Sequence, residues 1–192
     1  MGVIKQLGII KIHPSGWPYI AGIATGSFLI GSMLGLPIIL LICSTLFVMV
    51  LFRVKTPTIS MEQKLILAPL SGKLEQITEI ISPYKLFLLQ TSVQKIVIRC
   101  GILTAASLHA PTAMKIVQKQ KIEEASSRLI LLRGSLLETE GYDDSDEIMM
   151  IFYSSVPYLF PDCNIETGDT LSKGQAFGFL PFGGKVDLLI PE

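Results

Sequence analysis

At 192 residues the chain has room for one ordinary domain and a small appendage, not for two full domains. Apolar residues make up 49% of it and charged residues only 17%, against about a quarter charged in a typical soluble domain, so part of the chain is expected in lipid. Sixteen basic residues balance sixteen acidic ones, which removes any global field that would argue for nucleic acid.

The first 18 residues are expected to form a short cytosolic lead, with Lys5 and Lys11 before the uncharged apolar run. From Tyr19 to Phe52 no charged residue occurs. One straight helix over that run would be roughly 50 Å long, well beyond a hydrocarbon core of about 30 Å, so something must break it. Gly35-Leu36-Pro37 sits at the middle, and proline there removes a backbone donor and clashes with the preceding turn. Two short helices over residues 19–52, meeting at Gly35 to Pro37, are the predicted arrangement. Lys5 and Lys11 precede the run and Arg53 and Lys55 follow it, which predicts both ends on the cytoplasmic side of a cell (inner) membrane. Each arm is short for a full span, so a shallow hairpin remains an alternative. A cleaved signal peptide is disfavoured, because the run is too long and no small-residue cleavage pattern follows it before Arg53. Trp17 and Tyr19 stand at its leading edge, where amphipathic rings favour headgroups.

From residue 56 to 192 short aliphatic runs alternate with Gly, Pro and polar clusters. Strands are predicted at 65–67, 72–77, 85–89, 96–98, 114–117, 129–132, 148–153 and 186–190. The expected fold is mainly β, a small barrel-sandwich-like domain carrying an N-terminal membrane helical hairpin. Val156 to Cys163 is the one soluble helix candidate, and Pro157 and Pro161 limit it to a turn or two. Glu138 to Glu147 is acidic, but it lacks the ligand spacing of a calcium loop and reads as a solvated hairpin loop. Cys43, Cys100 and Cys163 are far apart, which suits neither a disulfide framework nor a zinc site, and no metal is expected. Gly168 and Gly174 flank a tight turn that calls for positive φ.

These pieces occur in a recognisable order. His13-Pro14-Ser15-Gly16-Trp17-Pro18 is followed by the broken apolar hairpin, Phe52-Arg53, the turn Ala68 to Gly72, and the ending Gly168-Asp169 to Val186-Asp187. The chain resembles the short, membrane-associated prokaryotic branch of the phosphatidylserine decarboxylase family, most strongly from Gly168 to Pro191. The resemblance implies a role in phospholipid (phosphatidylethanolamine) biosynthesis. In that family a serine hydroxyl attacks the carbonyl of the preceding glycine, the chain is cut, and a pyruvoyl group left on the new N-terminus serves as electron sink for decarboxylation.

The same resemblance places the cleavage pair at Gly183 and Gly184, with glycine in the serine position. It places the orienting aspartate at Ser71 and the general-base histidine at Ala106. His109 is a weak substitute, three residues away and expected on another face. No catalytic residue is therefore intact, and no cofactor is expected, since Gly184 has no β-carbon from which to make a pyruvoyl group. The family also runs on beyond the last strand, which leads to the expectation of an exposed sheet edge at this chain's end. Whether the chain is an enzyme is left open by the sequence. The expected partners are membrane lipid, another copy of the chain, or an active homologue, with Lys73, Lys85, Arg99, Lys115 and Lys119 as candidates for anionic headgroups. The competing reading is a membrane-anchored lipoyl-like or adaptor module with a structural role.

Overall fold

A computed structural model describes residues 12, 16–35, 38–52, 65–81, 92–101, 106–123, 128–137, 147–156 and 159–191. The chain divides into two compact units, Met1–Thr56 and Pro57–Glu192. Several sequence features lie outside the described residues: His13 to Ser15, Pro37, Arg53, Lys55, the strand expected at 85–89 and most of the acidic segment 138–147.

The first unit is an apolar helix pair, α1 (Trp17–Leu34) and α2 (Ile38–Leu51). Pro18 falls in the first turn of α1, where its missing N–H costs nothing, and Gly35 closes the helix at φ 64°, its N–H bonded to the Gly31 carbonyl. The break therefore comes where the sequence places it, at a glycine able to turn left-handed. Gly31 lets the Leu41 side chain approach, and Ser27 and Ser44 share a 3.2 Å hydrogen bond across the pair. Tyr19 stacks on Phe52 at 5.3 Å. Most remaining side chains point outward and are apolar, with Phe28 66% and Met33 87% exposed. Such a surface is unfavourable in water and natural in lipid. Among the described residues, α1 is long and apolar enough to cross a membrane, while α2 is apolar but shorter.

The second unit is mainly β. A seven-stranded antiparallel sheet has the order β1-β2-β10-β6-β5-β4-β8, and a three-stranded sheet the order β3-β9-β7. In chain order the strands are β1 (Lys73–Ile81), β2 (Ser92–Cys100), β3 (Ser107–His109), β4 (Met114–Glu123), β5 (Arg128–Leu136), β6 (Glu147–Ser154), β7 (Asp162–Cys163), β8 (Thr170–Leu171), β9 (Ala176–Phe179) and β10 (Gly184–Pro191). The main core includes Ile98, Ile130, Met150, Phe152 and Leu188 from the large sheet and Leu108, Cys163 and Phe177 from the small one. Alternation sends the intervening residues to the other face, where Val93, Leu129, Leu131, Met149, Ile151 and Leu189 form a second apolar cluster.

Residues 65–67 do not form a strand of either sheet. They belong to a strap that runs antiparallel beside β3, through bonds from the Leu67 N–H to the Pro111 carbonyl and from the His109 N–H to the Pro69 carbonyl, each 2.8 Å. The segment Val156 to Cys163, which the sequence limits to a turn or two, shows among the described residues a turn-type bond from the Leu159 N–H to the Val156 carbonyl and then enters β7, as two prolines in eight residues would favour. Gly168 and Gly174 do take positive φ, 101° and 72°.

Candidate functional site

The Gly183-Gly184 pair joins the two sheets: the chain leaves β9, turns through Leu180 to Gly183, and enters β10 at Gly184. Phe182 and Gly183 both have positive φ, 59° and 77°. For phenylalanine that conformation costs on the order of 1–3 kcal/mol, so the surrounding bonds must hold it. They do so on both sides. The Leu180 N–H donates to the Ala106 carbonyl at 2.9 Å, the Gly183 N–H donates back to the Leu180 carbonyl at 3.4 Å, and the Ser155 N–H donates to the Gly183 carbonyl at 3.3 Å.

Gly184 is then locked between two strands, opposite Cys100 on β2 and Ser154 on β6. A Cβ built at Gly184 would overlap the Tyr153 carbonyl oxygen, and one built at Gly183 would lie 2.6 Å from the Cys100 carbonyl oxygen. Neither position has room for a side chain without movement of backbone.

The other two positions carried by the resemblance gather at the same end of the sheet. Ala106 is 1% exposed and bonded through its carbonyl to the turn that leads into Gly183. Ser71 is exposed at the end of the strap, and a Cβ on its neighbour Gly72 would overlap the carbonyl of Arg99, the residue before the register partner of Gly184. Ser71, Ala106 and Gly184 thus lie near the C-terminal end of β2. At those positions the side chains are a hydroxymethyl, a methyl and a hydrogen.

His109 is buried on β3, paired with Ala176 of β9. Burial holds its imidazole below the usual value of 6.5, and a hydrogen bond to the Ser107 backbone opposes this in part. The ring is therefore neutral at pH 7, a state able to accept a proton. Its backbone position is tied to the strap through Pro69, whereas Ala106 is tied to the Gly183 turn through Leu180.

Sequence reasoning missed two buried hydroxyls here. Ser107 Oγ and Thr112 Oγ1 have no hydrogen-bond partner among the described residues. Nothing in the sequence distinguishes such atoms, because their isolation is set by tertiary packing. An apolar groove of about 300 Å³ lies alongside, lined by Leu67, Leu70, Leu74, Ile96, Ile98 and Leu188 among others. It matches the lower end of the size range of small-molecule pockets, and its lining suits a hydrocarbon chain rather than a polar group. Among the described residues no group of three or more His, Cys, Asp or Glu could hold a metal ion.

Of the basic residues singled out in the sequence, Lys73, Arg99 and Lys115 are exposed, and Lys85 lies outside the described residues. Lys119 has a different role. Only 13% exposed, it donates to the carbonyls of Cys163 and Ile165 at 3.2 and 2.7 Å and faces Glu166 at 3.4 Å. Cys163, buried beside this contact, has its thiol pushed up to about 12, chiefly by desolvation, so it carries no thiolate at neutral pH.

The chain is similar along nearly its whole length to curated bacterial proteins. It is 26% identical over 192 residues to a phosphatidylserine decarboxylase proenzyme of Ralstonia nicotianae, covering 93% of this chain and 86% of that relative. It is 24% identical to the proenzyme of that name from Cupriavidus pinatubonensis, with the same coverage. The proenzyme of Nitrobacter winogradskyi is also 24% identical, over 96% of this chain and 76% of that relative. No family model and no solved structure matches the chain.

Proposed function

From the relationship of this chain to the phosphatidylserine decarboxylase family, we propose that it is a catalytically silent, membrane-bound relative of those enzymes, acting in phospholipid metabolism. The observation that carries this reading is the packing of Gly184. Self-cleavage of the kind the resemblance implies needs a hydroxyl at that position to attack the preceding carbonyl, and a β-carbon to become part of the pyruvoyl group. Gly184 has neither, and the space a β-carbon would need is taken by the Tyr153 carbonyl. A pyruvoyl group does not fit these residues. The Gly183 carbonyl, which would be the electrophile, accepts a hydrogen bond from Ser155.

The proton-transfer positions support the same reading. Ala106 has no group that takes a proton, and Ser71 has no charge with which to orient a base. His109 is chemically able to act as a base, yet it belongs to the β3 core, held by the Ser107 backbone.

Lipid contact is the role that the chain's own features favour. The exposed apolar helix pair supports residence in a membrane, and the positive residues Lys5, Lys11, Arg53 and Lys55 support placing the β unit on the cytoplasmic face. The apolar groove beside the strap has the lining expected of an acyl-chain contact.

Denatured intact-mass measurement of the membrane-extracted protein tests the silent reading. A single species at full-chain mass is expected. Two fragments divided between Gly183 and Gly184, or a fragment that reacts with a carbonyl reagent, would overturn it.

A further inference from the structure

Three cations stand side by side across three adjacent strands of the large sheet. Lys73 on β1 is the register partner of Arg99 on β2, and Arg99 is in turn the partner of Lys185 on β10. Like charges directly opposite one another destabilise a sheet, so a row of this kind calls for a counter-charge. The described residues supply it only in part.

Glu75 receives the Arg99 Nε at 3.1 Å and its guanidinium NH2 at 3.0 Å. Asp187, its side chain 1% exposed, faces Lys95 at 2.8 Å and Lys185 at 3.3 Å. Two carboxylates thus answer four cations, and two positive charges are left over in a chain that is neutral as a whole. Lys73 is exposed and has no ionic partner among the described residues. Lys185, its side chain 33% exposed, lies 4.4 Å over the Tyr153 ring, and Arg99 is 64% exposed.

We propose that this row is a contact surface for the phosphate groups of an anionic lipid bilayer. The proposal rests on the membrane residence argued above, which brings the β unit within reach of headgroups. The form of the patch favours a surface over a single ligand: its cations are spread along a sheet face instead of converging on a cavity. Basic residues close to an anionic leaflet each contribute on the order of 1 kcal/mol, so the two charges left over bias the orientation of a domain by roughly thirtyfold at low salt.

The test uses the full chain with Cys43→Ser, reconstituted into vesicles of phosphatidylcholine alone or mixed with phosphatidylglycerol. A fluorophore is attached at Gln76→Cys, an exposed β1 position beside the row, and a headgroup-borne quencher is added to the lipid. Strong quenching is expected in the anionic vesicles, lost at high salt, and reduced severalfold by Lys73→Gln/Arg99→Gln/Lys185→Gln. Lys73→Gln alone, which removes no ion pair among the described residues, is expected to give a smaller loss in the same direction. That single variant decides the matter if the triple one does not fold.

Equal quenching in neutral and anionic vesicles, or no effect of the substitutions, would overturn the proposal. So would displacement by inorganic phosphate beyond a chloride control of equal ionic strength, which would indicate a site for the free ion. Failure of the parent protein to remain with any vesicle would instead overturn the membrane reading.

Discussion

The backbone at Gly184 lies against the carbonyl oxygen of Tyr153 so closely that a Cβ at 184 would overlap it. The contact follows from the ladder: Gly184 opposes Ser154 on β6 and Cys100 on β2, so β10 is hemmed in on both sides from its first residue. Gly184→Ser and Gly184→Ala should therefore both lower stability, by about 1–3 kcal/mol, the usual cost of forcing atoms into a filled site. Thermal melting of the two variants would read this, and their denatured masses should stay at full length. A serine variant as stable as the parent, or one that cleaves itself, would show that the Gly184 joint yields more readily than its contacts imply.

The longer strands were legible because they bury alternate residues. Val186, Leu188 and Ile190 face one side of β10 and Leu189 the other, a pattern visible in the sequence alone. The short strands β3, β7, β8 and β9 were not legible, since two to four residues carry no periodicity and owe their form to partners distant in the chain. The helix pair was legible through Gly35. The positions Ser71, Ala106 and Gly184 could be named only through resemblance, and the collision at Tyr153 depends on the β6–β10 register, which no local pattern encodes. Lys119 stood among the candidates for anionic headgroups for a similar reason: on a half-polar strand nothing local shows that its ammonium meets the carbonyls of Cys163 and Ile165.

Lys119 should act as a clasp. Its ammonium joins β4 to the segment around β7 by donating to two backbone carbonyls, and hydrogen bonds to a charged group contribute about 1.5–3 kcal/mol each. Lys119→Met keeps the aliphatic stem and removes the donors. Faster amide exchange over residues 163–169 is expected, with little change around β10. Unchanged exchange in that segment would mean that water replaces the clasp without loss.

His109 makes stability pH-dependent. Its folded pKa lies below 6.5 because burial disfavours the imidazolium. The unfolded chain therefore binds the proton more readily, so the contribution is complete above pH 6.5 and is lost as the pH falls through that value towards the folded one. Urea midpoints should fall between about pH 8 and pH 5, and the part due to this group should vanish in His109→Gln. A pH profile unaltered by the substitution would assign the dependence to other groups.

The helix pair gives a prediction of its own. Ser27 and Ser44 place their Oγ atoms 3.2 Å apart, a separation compatible with a disulfide after small side-chain adjustment. The approach depends on Gly31, where a Cβ would lie 2.8 Å from Leu41 Cδ2. In a Cys43→Ser background, Ser27→Cys/Ser44→Cys should oxidise readily in membranes, scored by the mass gained on alkylation with and without reductant. Adding Gly31→Val should slow that oxidation severalfold, because a branched side chain at the crossing wedges the helices apart. If the valine variant oxidises at the parent rate, Leu41 simply changes rotamer and the pair is held by its apolar surface rather than by the glycine.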